Sequence, residues 1–127
     1  MTGLACLAVA IGAVLGAWLR WGLGEWLNPT WPQIPLGTVA ANLIGGFIIG
    51  GAIEFFALHP GLAPEWRLVL ITGFLGGLTT FSTFSAEAVT LLARGQYAWA
   101  AGHIGLHLAG SVALTFGGIF VVRLLLR

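Results

Sequence analysis

Charge is what this chain has least of. Only 7% of its 127 residues are charged, against roughly 25% in an ordinary soluble domain, so a water-facing surface all round is excluded. Lysine is absent, and the net charge of +1 is too thinly scattered to form a basic patch for nucleic acid or to recruit acidic lipid. Cysteine occurs once, as Cys6 in the first apolar stretch, which excludes an intrachain disulfide and reads as a small buried apolar residue. Nothing basic precedes Arg20, so the charged start of a cleaved secretory leader is missing and the first apolar segment is expected to stay.

What the chain does have is apolar length, with 58% hydrophobic residues. A bilayer core of about 30 Å takes about 20 such residues per helix, so four crossings with short loops nearly exhaust one domain. The first crossing is expected over about residues 3–24, with Trp18, Trp21 and Trp26 gathered at its end like an interfacial belt. Asn28 to Pro35 holds three of the five prolines and breaks helix there. The second crossing is expected over about 36–58, closed by the turn-like HPGLAP before Glu65. The third covers about 66–93 and the fourth about 98–126.

The third crossing contains GFLGGLTTFSTFSAEA, residues 73–88, the least lipid-like stretch in the chain. Glycine and threonine weaken a helix, and Ser or Thr hydroxyls can bond freed backbone groups. A break is expected at about 76–82, leaving halves that cannot span alone. Lipid offers no water to unpaired backbone, so such a break must be covered by protein or line a wet cavity. Helix ends meeting there would attract ions, carbonyl ends cations and amide ends anions. A glycine kink whose hydroxyls bond back to their own helix is the plainer alternative.

Two other segments carry polar stripes. His103, His107, Ser111 and Thr115 recur every fourth residue of the fourth crossing, and Thr38 and Asn42 do so in the second. Asn42 serves either as interhelical glue or as a donor to a passing ligand. The two histidines alone make a weak metal site, because no cysteine or carboxylate neighbours them on that face. Glu87 is a functional candidate as an intramembrane acid, whereas Glu54 and Glu65 read as solvated helix ends. Gly12 and Gly16, Gly46 and Gly50, and Gly73 and Gly77 allow close helix packing. Phe81 and Phe84 share a face; ordinarily such rings meet lipid or core, but their positive edges suit an anion in a narrow path. No arrangement of nucleophile and base presents itself, so an enzyme is not expected.

Arginine is almost evenly divided between the two sides. Arg67, Arg123 and Arg127 fall with the termini, Arg20 and Arg94 opposite. So slight a bias gives little instruction for orientation, which permits insertion either way up and antiparallel pairing.

The run GFLGGLTTFSTFSAEA, with GAWLRW in the first segment, GTVAANLIGG in the second and GSVALT in the fourth, resembles the Fluc (CrcB) fluoride channels over essentially the whole chain. The resemblance implies an all-α membrane protein of four transmembrane helices with the third broken, assembled as an antiparallel, dual-topology homodimer in the bacterial inner membrane. It implies two pores that passively export fluoride. Phe81, Phe84, Asn42, Ser111 and Thr115 would line each pore with Thr38 among the donors, and Arg20 would lend positive potential at the vestibule. A structural sodium ion would lie at the dimer centre on the backbone carbonyls of Gly76 and Thr79. Histidines 103 and 107 stand where some relatives carry other polar or aromatic residues. The rival reading is a small four-helix proton-coupled multidrug exporter. Such exporters rely on a glutamate within the first helix, where this chain has only the terminal Glu25.

Overall fold

Apolar runs of this length form helix because a helix satisfies its own backbone groups, and helices are the only regular elements in the computed structural model, which describes all of Met1–Arg127. Helix α1 spans Gly3–Leu27 and starts on Thr2, whose hydroxyl accepts from the Ala5 amide. A single 3-10 turn, Asn28–Thr30, leads into α2 at Leu36–Leu58. Asn28 Oδ1 accepts from the Gly37 and Thr38 amides, so the proline loop supplies the cap that Pro35 cannot. The third apolar span, Pro64–Ala93, is composite. It begins as α3 (Pro64–Arg67), widens into π-type turns over Leu68–Leu75, and tightens again in α4 (Gly76–Leu78). Thr79 and Thr80 are extended, with ψ of 152° and 116°, before α5 runs from Phe81 to Ala93. Gly95, at φ +72°, turns the chain into α6, Tyr97–Leu126. Four spans are long and apolar enough to cross a membrane.

The two halves of the third span choose different partners. The Leu68–Leu78 part lies along α1, whereas α5 lies against α6, and α2 packs along α6. Gly16 and Gly50 show why these pairs approach so closely. A methyl on Gly16 would strike the Phe74 carbonyl, and one on Gly50 would strike that of Thr115. The core is small: Ala41, Leu75 and Leu78 are its buried centre, beside the extended pair. Most large apolar side chains, including Trp18, Trp21 and Trp26, face outward, as a lipid-facing surface requires.

Two expectations are corrected. Cys6 is exposed on α1, because the buried stripe of that helix runs through Ala8, Gly12 and Gly16 and leaves Cys6 off it. Glu54 is not a solvated end: its side chain is 8% exposed and its Oε1 meets Arg123 Nε at 3.1 Å and an Arg127 guanidinium nitrogen at 3.2 Å. Sequence position alone hid this pair, since α6 returns to the end of α2 only in the folded bundle.

Candidate functional site

The extended pair Thr79–Thr80 organises the site, and Asn42 of α2 holds it. Asn42 Oδ1 accepts from the Thr80 amide at 2.7 Å while its Nδ2 donates to the Thr80 carbonyl at 3.0 Å. One side-chain amide thus takes the place of a neighbouring strand for a single residue. The same Nδ2 lies 3.0 Å from His107 Nδ1 on α6. Because Nδ2 only donates, that ring nitrogen accepts, and the proton of neutral His107 sits on Nε2.

Most of the helix-end groups left at this point find partners. Arg20 Nε, from α1, donates to the Gly77 carbonyl at 3.0 Å, where α-helical continuation would have brought the Phe81 amide. The Thr80 amide would have closed the next turn on Gly76, but Asn42 has taken it. The Gly76 carbonyl is therefore without its α-helical partner. Thr79 bonds back to Leu75 O through both its amide, at 2.9 Å, and its hydroxyl, at 2.8 Å. Thr80 Oγ1 caps α5 by accepting from the Thr83 amide.

A groove of 540 Å³ opens beside this segment. Asn42, Gly76, Thr79, Phe81, Phe84, Ser111 and Thr115 all border it, together with His107 and Thr80. Phe81 and Phe84 meet edge to face, with centroids 5.6 Å apart, and Phe81 is 80% exposed. Phe84 stacks obliquely on His107 at 4.7 Å. The hydroxyls are not equivalent. Thr115 is committed to the Gly46 and Ser111 carbonyls, at 3.0 and 2.8 Å, whereas Ser111 makes no side-chain hydrogen bond within the chain.

Thr38 and Arg20 stand apart from that groove. They border a second, smaller cavity of 360 Å³ with Trp21, Glu25 and Asn28, on whose wall Thr80 also lies. Buried Thr38 donates its hydroxyl to Glu87 Oε2 at 2.7 Å, and Glu87 Oε1 lies 3.4 Å from fully buried His103. Sequence reasoning missed the Glu87–His103 approach, because only α5–α6 packing brings the two together. Thr80 was missed as a hub for a similar reason, although its place between Thr79 and Phe81 was a signal.

The sequence that carries these residues matches a known family over most of its length. The family described as "CrcB-like protein, Camphor Resistance (CrcB)" matches residues 7–119. The chain belongs to the CrcB family. Among its curated relatives, a Pseudomonas putida protein named "Fluoride-specific ion channel FluC" is 61% identical over 113 residues, covering 89% of each chain. Proteins of the same name from Nitrosomonas europaea and Cupriavidus taiwanensis are 60% and 57% identical, over 116 and 125 residues. The first alignment covers 91% of each chain, and the second covers 98% of this chain and 99% of its relative. The CrcB match takes in most of each of the four apolar segments, and the extended pair, its Asn42 clamp and the groove all lie within it.

Proposed function

We propose that this CrcB-family protein is a multi-pass channel that lets fluoride leave the cytoplasm down its gradient. The name shared by the relatives is that of a channel, and family membership makes the chain a channel rather than an enzyme. One observation carries the residue-level reading: uncharged donors and two phenylalanines border a single groove beside an extended backbone segment. A small anion sheds water only where donors replace it, and it leaves again only where none of them holds it too tightly. Ser111 is the donor with a free hydrogen. Asn42 would serve the ion with the Nδ2 hydrogen now directed at His107, while its other bonds keep Thr80 in place. Thr115 and Thr38, whose hydrogens are committed, would shape the path more than solvate the ion. Phe81 and Phe84 would offer positive ring edges. Arg20 would contribute positive potential from the smaller cavity.

The assembly that fits is an antiparallel homodimer in the inner membrane of a bacterium, with two such paths. Phe81 and Gly76 are exposed within an apolar span, and a groove there that carries free hydroxyl and carbonyl groups calls for a covering surface. The carbonyls of Gly76 and Thr79 from two copies would hold a sodium ion that neutralises their partial charge; Gly76, lacking its helical partner, suits that role.

Efflux from liposomes containing the purified protein tests the reading. Fluoride is expected to leave rapidly without a coupled proton, and chloride to leave far more slowly under the same gradient. Phe81→Ile and Phe84→Ile are each expected to cut fluoride efflux by about tenfold or more while the protein stays folded. Undiminished efflux in both variants removes the phenylalanines from the path.

A further inference from the structure

Behind that groove, whose wall includes His107, α5 and α6 bring three metal-ligating side chains together. Glu87 lies one turn beyond Phe84, and His103 and His107 share a face of α6. One ligand atom from each falls within 4.8 Å of the other two. His103 is 0% exposed and His107 5%. Glu87 Oε1, both ring nitrogens of His103, and His107 Nε2 are buried with no hydrogen-bond partner. Burying so many unpaired polar atoms is unfavourable, and here they are neighbours. No arginine pairs with the carboxylate: Arg20 is engaged by Gly77, and Arg123 and Arg127 by Glu54.

We propose that Glu87, His103 and His107 bind one divalent cation of borderline softness, zinc or an ion like it, between α5 and α6. Two imidazoles and a carboxylate are the donor set such ions take, with a fourth position left for water. Magnesium and calcium require more oxygen ligands than this site holds. Tetrahedral zinc bonds of about 2.0–2.1 Å separate adjacent ligand atoms by roughly 3.4 Å. The Glu87 Oε1 to His103 Nε2 distance is already 3.4 Å. His107, whose ligand atom lies within 4.8 Å of the other two, completes the set by a side-chain shift.

That shift has a chemical consequence. A neutral histidine ligating through Nε2 carries its proton on Nδ1, which would then face the N–H of Asn42 instead of accepting from it. Metal binding and the Asn42–His107 hydrogen bond therefore exclude one another, and the ion takes His107 from the residue that clamps Thr80.

The test is a titration of the purified full-length protein in detergent, with any affinity tag removed, by cobalt(II) and then zinc(II). One equivalent of cobalt per chain is expected to give the intense visible bands of a tetrahedral site, which zinc abolishes and excess magnesium does not. Glu87→Gln and His103→Phe should each weaken binding by about tenfold or more. His59→Ala, at an exposed histidine bonded to the Phe55 carbonyl, should bind like the parent. Absence of saturable binding overturns the proposal, as does unchanged affinity in Glu87→Gln, a near-isosteric variant that keeps the Thr38 contact available. Loss confined to His59→Ala overturns it too. None of these readouts depends on what the channel conducts.

Discussion

Asn42 has two amide hydrogens and one oxygen, and all are used: one hydrogen and the oxygen on Thr80, the other hydrogen on His107. Truncating it removes the partner of the Thr80 amide and a donor to the Thr80 carbonyl. Each such loss costs about 1–3 kcal/mol, so Asn42→Ala is expected to destabilise the protein by roughly 2–4 kcal/mol and to impair fluoride efflux as well. Denaturant titration in detergent checks the first effect and liposome efflux the second. Lost stability with normal efflux would leave Asn42 as a clamp alone. Asn42 was recognisable in the sequence as a costly buried amide, yet which of two roles it takes was not. Both are compatible with spacing, and the choice depends on where Thr80 lies in space.

Among the elements, the third span differs from the others because its two parts answer to different neighbours. The π-type turns and α4 follow α1, while α5 follows α6. Thr79 and Thr80 take up the change of direction, and Arg20 of α1 and Asn42 of α2 bond to backbone groups that it frees. The other spans are held by backbone approach, which makes glycine position decisive. Gly50→Ala drives a methyl into the Thr115 carbonyl and is expected to cost about 1–3 kcal/mol. Gly102→Ala meets nothing within 4 Å, so its stability should stay within about 1 kcal/mol of the parent. Thermal unfolding of both variants in one detergent compares them directly; equal costs would show that α2 and α6 do not depend on this contact.

Across the molecule, Glu54 joins the end of α2 to the end of α6 through two arginines. Each arginine is more than half exposed, so removing one leaves the carboxylate the other. Arg123→Ala alone is expected to cost less than about 1 kcal/mol, and the Arg123→Ala, Arg127→Ala pair about 1–3 kcal/mol, more than the sum of the single changes. Additive single costs in equilibrium unfolding would contradict shared pairing. The arginines divide three to two between the sides, and reporter fusions at the C-terminus are expected to register on both faces of the membrane. A signal from one face only would exclude dual topology.

Four apolar spans, their proline and glycine boundaries and the polar stretch from Gly73 to Ala88 could be read without coordinates. Hydropathy, backbone self-satisfaction and helix-breaking chemistry act within a few residues of one another. What packing alone decided is which distant groups meet: Arg20 on the Gly77 carbonyl, Asn42 on Thr80, Glu54 under Arg123, and Glu87 beside His103. Those pairs lie 57, 38 and 69 residues apart for the three hydrogen bonds. Helical period says which face a side chain occupies, but the partner on that face is set by how closely two backbones approach, and that follows from the bundle as a whole.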